Sequence, residues 1–316
     1  MRIVEVGEFG GPEVLTVVEA PDPEPGPGEA VVEVTAAEVL WVEIMIRGGH
    51  GGDHFPVRPP YRPGPGVAGI VAEVGEGVDR SWLGHRVVTP TGPNGGYVER
   101  ALEPAAGLIP VPDGVTLPEA AALLHDGVTA LGVLEIVAVK PGERVLITAA
   151  AGGMGALLVQ LAHAAGAHVT AAARGTRKLD RLGPLGADVV VDYSEPDWTD
   201  AVGEVDVVLD GAGGAYGRAA LRLLVPGGRF SGHGTPAGSF AGRGDPAAAG
   251  VSVTGIESVQ FDPEQFRRHA LGILAEAAAG RVRPLIGQTF PLERAVDAHT
   301  ALENRTAIGK TVLLCS

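Results

Sequence analysis

The fold is decided by the stretch RVLITAAAGGMGALLVQLAHAAGAHVTAAAR, residues 144–174. An apolar run leads into a loop of small residues, and an amphipathic helical segment and a second apolar run follow. In this context a glycine-rich loop binds the pyrophosphate of a dinucleotide, because glycines let the backbone approach closely and the helix presents free N–H groups. We therefore predict a pyrophosphate loop at Gly152, Gly153 and Gly155. The alternative is a tight turn between strand and helix that binds no ligand.

The residues after the second apolar run indicate which dinucleotide is bound. A site for NAD usually has Asp or Glu about 20 residues beyond the loop, where the carboxylate binds the ribose hydroxyls. Here the run ends at Ala173 and is followed by Arg174-Gly175-Thr176-Arg177-Lys178, which has three cations and no acid. Because cations bind a 2′-phosphate, this segment favours NADP(H). Alternatively, these side chains are only the solvated start of a helix.

Strand and helix signals alternate from residue 118 onward, which predicts a parallel sheet with helices on both faces. Helical patterns cover three segments, residues 118–138, 176–186 and 263–280. We expect a break in the first of them near Gly127. Residues 1–110 instead hold short valine-rich runs between Gly and Pro clusters, which predict β structure, and the tail reads strand, helix, strand.

Composition and charge exclude several classes of protein. A chain of 316 residues suits two domains, and 45% hydrophobic residues suffice for two cores. The net charge of −14 argues against nucleic acid and anionic membranes as partners, since phosphate binding needs a basic face. With Cys315 as the only cysteine, no internal disulfide is expected. No signal peptide and no membrane-spanning run are evident, so we expect a cytoplasmic protein.

Ordered motifs cover nearly the whole chain. They are FGGPEVL at 9–15, PEPGPGEAVVEV at 23–34, RPGPGVAGIVAEVGEGV at 62–78, GGYVER at 95–100, PVPDGVTLPEAAALLHDGVTA at 110–130, LGADVVVDYSEPDW at 185–198, LRLLVPGGRF at 221–230 and GKTVL at 309–313. Together with the glycine-rich loop, they resemble the zinc-free medium-chain dehydrogenases/reductases. The resemblance is to the quinone oxidoreductase (zeta-crystallin-like) branch, which is related to polyketide enoyl reductase domains.

This resemblance implies an α/β fold with two domains. A GroES-like, β-rich substrate domain would comprise residues 1–117 and 261–316, and a Rossmann domain with a doubly wound parallel sheet would comprise residues 118–260. The cleft between the domains would hold the nicotinamide. Family members are typically homodimers or tetramers, often paired through an edge strand of the nucleotide-domain sheet. We expect a homodimer, with VSVTGIES at 251–258 as that strand.

The resemblance also assigns cofactor contacts, with NADPH as the implied cofactor. The matching positions are Thr129 at the nicotinamide, Met154 with Gly152, Gly153 and Gly155 at the pyrophosphate, Lys178 and Tyr193 at the 2′-phosphate, and Gly211 and Gly232 at strand ends that line the cofactor cleft. Arg174 stands where the family has a serine, and it should add positive charge to the 2′-phosphate site.

Two departures from family patterns concern the chemistry. Zinc-dependent relatives have a cysteine ligand near position 40 and a Gly-His-Glu stretch near 65, whereas this chain has Leu40 and Gly64-Pro65-Gly66. We therefore expect no catalytic zinc. Quinone reductases usually read A-G-V-N-x-x-D-x-x-x-R where this chain reads AEVLWVEIMIR, residues 37–47. Leu40 replaces the Asn, Glu43 replaces the Asp, and Met45 replaces a Tyr that is often found there.

The wall of the substrate pocket is the third prediction from the resemblance. A quinone or enone that accepts hydride must then be protonated by a side chain or by water. Glu43 either supplies that proton or, as we favour, shapes the pocket by binding backbone N–H groups or Arg47. Asp126 either acts in the pocket or caps a helix that begins after Gly127. Trp41 either stacks on a planar acceptor or packs between the domains.

Further polar and aromatic candidates surround this pocket. His125 stands where the family commonly has a small or apolar residue, and it is either a candidate proton donor that adds polarity to the pocket or a structural histidine. The long loop of residues 50–66 carries His50, His54, Phe55 and Tyr61, which are candidates for the substrate entrance. Tyr61 is also a candidate proton donor.

Three functions follow from these observations. The first is an NADPH-dependent, zinc-independent oxidoreductase that transfers hydride to a quinone or an α,β-unsaturated carbonyl. The second is a specialised reductase or cyclase of secondary metabolism on the same fold, which the replacement of the Asn and the Tyr favours. The third is a non-enzymatic NADPH-binding protein.

Overall fold

The computed structural model describes residues 1–52, 55–92, 95–242 and 244–315. The chain divides into two compact units. The first comprises Met1–His125, Ala270–Gly280 and Ile286–Ser316, and the second comprises Asp126–His269 and Arg281–Leu285. The first unit is thus discontinuous in sequence. Both main divisions fall inside helices, eight residues after the boundary expected at residue 117 and nine residues after the boundary expected at residue 260.

The secondary structure comprises strands, α-helices and several single 3-10 turns. The strands are β1 (Arg2–Val6), β2 (Leu15–Glu19), β3 (Glu29–Val39), β4 (Gly66–Val74), β5 (Arg86–Pro90), β6 (Arg100–Pro104), β7 (Ile109–Pro110), β8 (Arg144–Thr148), β9 (His168–Ala173), β10 (Val189–Asp192), β11 (Val205–Asp210), β12 (Leu224–Gly232), β13 (Ser252–Gly255), β14 (Ile286–Pro291) and β15 (Lys310–Leu314). The helices are α1 (Trp41–Arg47), α2 (Leu117–Val137), α3 (Gly153–Ala164), α4 (Thr176–Leu179), α5 (Trp198–Val202), α6 (Gly214–Leu221), α7 (Pro263–Ala278) and α8 (Ala295–Glu303).

The second unit is built on a six-stranded parallel sheet in the order β10-β9-β8-β11-β12-β13. Most side chains of β8 and β11 are buried, as in parallel sheets covered on both faces. The order of strands reverses between β8 and β11, and doubly wound sheets bind ligands at the carboxyl ends of the strands beside such a switch point. The edge strand β13 lies within the segment 251–258 that the sequence predicts as an edge.

The first unit is built on mostly antiparallel strands. Its larger sheet has the order β14-β15-β3-β4-β5-β7, with β6 also paired to β3, and β1 and β2 form a separate hairpin. Strand β15 from the tail pairs antiparallel with β3, where Thr311 lies opposite Val39. This pairing explains why the C-terminal segment belongs to the same unit as the N-terminal residues.

Helix α2 corrects two expectations. It is continuous from Leu117 to Val137, so the predicted break near Gly127 is wrong, and so is the reading of Asp126 as an N-cap. A glycine inside a helix costs about 1 kcal/mol relative to alanine. Burial of apolar neighbours such as Leu124 and Val128 outweighs that preference. By length and composition α2 could cross a membrane, but 61% of its most apolar window is buried inside the protein, as in a core helix.

Helix α4 is shorter than the sequence suggests. The helix expected over residues 176–186 is limited to one turn, Thr176–Leu179, and is followed by a 3-10 turn at Gly183–Leu185. Pro184 has no N–H to donate and glycine disfavours a helix, so the pair Gly183-Pro184 interrupts the pattern.

Candidate cofactor site and substrate-pocket residues

The glycine-rich loop joins the carboxyl end of β8 to the start of α3. Gly152 is the N-cap residue of α3 and provides no side-chain hydrogen bond, and the first N–H groups of a helix have no acceptor within it. A Cβ on Gly155 would lie 2.5 Å from the carbonyl oxygen of Ala149 and 2.8 Å from Cα of Ala150. Only glycine therefore allows α3 to pack this closely on the loop, as in dinucleotide-binding folds. Gly153 and Met154 form the first turn of α3 beside it.

The loop after β11 is held next to this glycine loop by a buried pair of residues. Thr148 ends β8 and donates from Oγ1 to Oδ1 of Asp210 at 2.5 Å, and Asp210 ends the neighbouring strand. The backbone N–H of Gly211 donates to Thr148 Oγ1 at 3.1 Å, and the N–H of Gly213 donates to Asp210 Oδ1 at 3.2 Å. Burial raises the pKa of Asp210, and these hydrogen bonds oppose the shift. Asp210 is not among the predicted site residues, although the sequence shows an acid at the end of a buried apolar run.

A cation held against an aromatic ring follows β9. Arg174 donates from Nη2 to the hydroxyl of Tyr216 at 2.8 Å, and its guanidinium carbon lies 5.7 Å from the centroid of that ring. The Tyr216 ring in turn lies 4.5 Å from the ring of Tyr193, measured between centroids. The structure thus brings the predicted residues Arg174 and Tyr193 together through Tyr216, which the sequence did not single out. Lys178 lies in the adjacent turn, α4.

An acid is present near these residues, but it ends β10 rather than following β9. Asp192 accepts from the backbone N–H of Gly175 at 2.8 Å and from the N–H of Ser194 at 2.9 Å. Burial acts to raise the pKa of Asp192, but the hydrogen bonds from Ser194 and Gly175 and the charge of Arg174 lower it overall. Its carboxylate is therefore engaged with the backbone. Gly175 has φ of 81°, a conformation that favours glycine.

The end of β12 contributes a buried histidine to the same edge of the sheet. Gly232, the last residue of β12, lies opposite Asp210 in the parallel register, and His233 follows it. Burial lowers the pKa of His233 to about 4, so the ring is neutral at pH 7. Its buried Nδ1 has no hydrogen-bond partner among the described residues. Its Nε2 would lie 3.1 Å from a Cβ on Gly211, so a larger residue at 211 would crowd the ring.

Parallel register explains how these distant segments meet. Thr148 lies opposite Asp210 on one side and Ala172 on the other, and Asp210 lies opposite Gly232. The carboxyl ends of the strands therefore carry the glycine loop, the cations and the unpartnered nitrogen of His233. These groups fit a dinucleotide that carries an additional phosphate. Thr129, by contrast, lies on α2.

In the first unit, Glu43 is buried and its carboxylate accepts three hydrogen bonds. It is the third residue of α1 and only 5% exposed. The donors are the N–H of Leu40 at 3.1 Å, the N–H of Gly64 at 2.5 Å and the hydroxyl of Tyr97 at 2.9 Å. Burial nevertheless raises the pKa of Glu43 to about 7. This geometry supports the alternative in which Glu43 shapes the pocket by binding backbone N–H groups.

The hydrogen bonds continue from Tyr97 to helix α8. The Tyr97 hydroxyl lies 3.0 Å from Nε2 of His299, and Nδ1 of His299 lies 3.1 Å from Nη1 of Arg47. Arg47 also forms an ion pair with Glu303 and donates to the carbonyl oxygen of Gly10 at 3.2 Å. Burial, with a contribution from Arg47, lowers the pKa of His299 to about 3. The Arg47 side chain is therefore bound to α8 and to the N-terminal segment, and it is linked to the Glu43 carboxylate through His299 and Tyr97.

The remaining predicted pocket residues have separate positions. Trp41 is the first residue of α1, and its buried Nε1 has no hydrogen-bond partner among the described residues. Asp126 lies within α2, in the second unit. Of the loop candidates, Phe55 is exposed and Tyr61 forms a bridge with Val6, whereas His54 lies outside the described residues. Within the described ranges, no group of three or more His, Cys, Asp or Glu residues could hold a metal ion.

Two family descriptions match the two kinds of structure observed. Residues 26–113 match the alcohol dehydrogenase GroES-like domain, and residues 185–313 match the family described as zinc-binding dehydrogenase. The first match falls within the β-rich first unit, and the second includes β10 to β13 of the parallel sheet. The predicted fold class, a GroES-like domain with a doubly wound parallel sheet, is confirmed.

Relatives aligned over the full chain identify the family. The chain is 33% identical to the quinone oxidoreductase of Sus scrofa, over 99% of this chain and 98% of that protein. The chain belongs to the quinone oxidoreductase branch of the medium-chain dehydrogenases/reductases. The family prediction is thereby confirmed. Another relative is a 2-haloacrylate reductase from Burkholderia sp, which is 32% identical to this chain over 96% of each protein.

Solved structures of other members of the branch have the same fold. The quinone oxidoreductase of Escherichia coli in complex with NADPH has a TM-score of 0.89 at 27% identity, over 99% of this chain and 100% of that chain. A mycobacterial protein in complex with NADPH has a TM-score of 0.88 at 32% identity, over 99% of this chain and 100% of that chain. The quinone oxidoreductase fold therefore extends over the whole of this chain.

Proposed function

We propose that the protein is an NADPH-dependent oxidoreductase that transfers hydride to a quinone or an α,β-unsaturated carbonyl without zinc. One observation carries the proposal: Arg174, held against Tyr216, directly follows the strand next to the glycine-rich loop. A cation at that place suits the 2′-phosphate of NADPH, whereas NAD-dependent folds have an acid there. The NADPH complexes of two members of the family support this choice.

The residues at the carboxyl ends of the strands would hold this cofactor. The pyrophosphate would lie on Gly152, Gly153, Met154 and Gly155, the 2′-phosphate on Arg174, Lys178 and Tyr193, and the remainder of the dinucleotide along Gly211, Gly232 and Thr129. When bound, NADPH supplies the hydride. The hydrogen bonds of Asp210 fix the loop after β11 beside the glycine-rich loop. The ring of His233 is neutral and offers the cofactor a polar nitrogen without a charge.

The acceptor is proposed from the first residues of α1 and from the relatives. Leu40, Trp41 and Met45 provide an apolar surface and one unpartnered indole N–H, which suits a flat acceptor with a carbonyl oxygen. A quinone and a haloacrylate, the compounds in the names of two relatives, both have carbon–carbon double bonds conjugated to carbonyl groups. Reduction of such an acceptor requires polarisation of its carbonyl group and a proton for the enolate, and neither requires a metal ion. The presence of Leu40 and Gly64-Pro65-Gly66 in place of zinc ligands supports zinc independence.

The test is a scan of NADPH and NADH oxidation with a series of quinones and enones. We expect turnover with NADPH and weak turnover with NADH. The double variant Arg174→Ala, Lys178→Ala should lose most of this preference, whereas Arg177→Ala, which removes a neighbouring exposed cation, should keep it. Equal use of both cofactors by the wild type would contradict the choice of NADPH. Tight NADPH binding without turnover of any acceptor would favour the non-enzymatic alternative.

The proposal also includes a cytoplasmic homodimer without nucleic-acid or membrane partners. Strand β13 is the edge of the parallel sheet, so its outer backbone groups could pair with a second copy. The net charge of −14 disfavours polyanionic partners. The expected domains, residues 1–117 with 261–316 and residues 118–260, are part of the same proposal. A molar mass in solution equal to that of one chain would contradict the dimer.

A further inference from the structure

Three residues of the first unit form a line of ionisable side chains from the interior to the surface. Lys310 donates from Nζ to Oε2 of Glu38 at 2.8 Å, and both side chains are buried. The other carboxylate oxygen of Glu38, Oε1, is hydrogen-bonded to Nδ1 of His125. Glu38 is on β3, Lys310 begins β15 and His125 lies on α2. Three elements distant in sequence therefore meet at one carboxylate.

This arrangement belongs to this chain rather than to the family pattern. Glu38 stands where the pattern A-G-V-N of quinone reductases has glycine, and Gly66 stands where the Gly-His-Glu stretch of zinc-dependent relatives has glutamate. A Cβ on Gly66 would lie 2.7 Å from Oε1 of Glu38. The carboxylate of Glu38 thus fills space that a side chain at position 66 would need. His125 likewise replaces a small or apolar residue.

The partners of Glu38 determine how His125 is oriented. Burial acts to raise the pKa of Glu38, but the charge of Lys310 and the interaction with His125 outweigh it and lower the pKa to about 2. The carboxylate therefore only accepts hydrogen bonds, and Nδ1 of His125 must be the donor. Nε2 is then the nitrogen through which the ring can exchange a proton. Glu38 is completely buried, whereas the His125 side chain is 26% exposed and can recover a proton from water.

The position of His125 on α2 relates it to the proposed chemistry. Thr129, the residue proposed to approach the nicotinamide, follows His125 by four positions on a continuous helix. Side chains four residues apart lie on the same face of a helix, about one turn from each other. Both residues are partly exposed.

We propose that His125, oriented by Glu38, is the proton donor of the reduction. This inference rests on the proposed function. The acceptor gains a hydride at carbon as the nicotinamide is oxidised to NADP⁺, and its double-bond electrons move to the carbonyl oxygen. The N–H bond at Nε2 of the doubly protonated His125 ring then breaks as a bond from that proton to the α-carbon of the enolate forms. The ring keeps its Nδ1–H toward Glu38, and a hydronium ion from the solvent returns a proton to Nε2. Glu38 and Lys310 are positioning residues, and Glu43 is a further carboxylate whose charge interacts with Glu38.

The main test compares His125→Asn and His125→Ala with the wild type, using an enone acceptor. The Asn side chain keeps a donor for Glu38 and lacks a second ring nitrogen that could pass a proton to the acceptor. We expect kcat to fall about 100-fold or more in both variants, with NADPH affinity, measured by fluorescence titration, unchanged. Added imidazole should restore part of the activity of His125→Ala and none to the wild type.

A matched control is His168→Asn, because His168 also lies beside a carboxylate, that of Asp188 at 3.5 Å, but at the start of β9. The His168→Asn substitution should leave kcat unchanged. An unchanged kcat in folded His125→Asn, or the absence of imidazole rescue, would overturn the inference while leaving the proposed function in place. Failure of the wild type to reduce any acceptor would instead remove the proposed function. Glu38→Gln should lower kcat while leaving the KM for the acceptor unchanged, and an unchanged kcat would count against the positioning role.

Discussion

The hydroxyl of Tyr97 donates to Oε2 of Glu43 across 2.9 Å, although the two residues are 54 positions apart. The direction of this hydrogen bond follows from Arg47, at the other end of the chain of hydrogen bonds that runs through His299 to Tyr97. Arg47 has only donors, so Nδ1 of His299 must accept, and the neutral ring then donates from Nε2 to the Tyr97 oxygen. The single proton of Tyr97 is therefore left for Glu43. Protonation of His299 would place an N–H donor and a positive charge opposite the guanidinium of Arg47. This repulsion agrees with the low pKa of His299, about 3.

The first prediction concerns the pH dependence of stability. The pKa of Glu43 is about 7 in the folded protein against an ordinary 4.5, so folding favours the protonated carboxyl. Its contribution to stability is present below about pH 4.5 and is lost as the pH rises through about 7, with a span of about 3 kcal/mol. Glu43→Gln should remove this decline. Urea unfolding of both proteins at several pH values measures it, and parallel profiles would refute it.

The second prediction concerns the Tyr97 hydroxyl. Tyr97→Phe should lower the free energy of unfolding by about 1–3 kcal/mol, because buried Nε2 of His299 and one oxygen of Glu43 each lose a partner. Tyr61→Phe is the control, since its hydroxyl takes no part in the bonds between Arg47 and Glu43. Chemical denaturation of the three proteins makes the comparison. Equal stability of Tyr97→Phe and wild type would show that the network is dispensable.

The third prediction concerns the glycine loop. Gly155→Ala should weaken NADPH binding at least tenfold, because the new methyl group would collide with the backbone of Ala149 and Ala150 and displace α3. Gly183→Ala is a matched control, because no atom lies within 4 Å of its added Cβ. Titration of NADPH fluorescence compares the affinities. An unaffected Gly155→Ala variant would contradict the assignment of this loop to the pyrophosphate.

The fourth prediction concerns acceptor choice. Trp41→Phe should keep the apolar surface and remove the unpartnered indole N–H, whereas Trp41→Ala should remove both. We expect Trp41→Ala to change the ratio of kcat/KM between quinones and small enones, since a flat quinone gains more from stacking on the ring. Trp41→Phe should lie between the alanine variant and the wild type. Identical ratios in all three proteins would exclude Trp41 from the pocket.

The sequence predicted the elements correctly where a pattern is local. The glycine-rich turn lies between β8 and α3, and the cations follow β9 as expected. The motifs along the chain identified the family, and the resemblance also placed an edge strand near residue 251. Sequence reasoning failed at α2, where a helix-breaking Gly127 is overridden by burial of its neighbours. It also failed at α4, where Gly183-Pro184 ends a pattern read as one helix.

The sequence by itself determined the alternation of strand and helix, the glycine loop and the replacement of family residues at positions 40, 43 and 45, because each is a property of neighbouring residues. Only the tertiary structure decided the partners of the buried acids. Glu43 meets Tyr97, Glu38 meets His125 and Lys310, and Asp210 meets Thr148, all through contacts between elements far apart in the chain. A buried carboxylate takes its protonation and its role from those partners, and sheet pairing across tens or hundreds of residues brings them together.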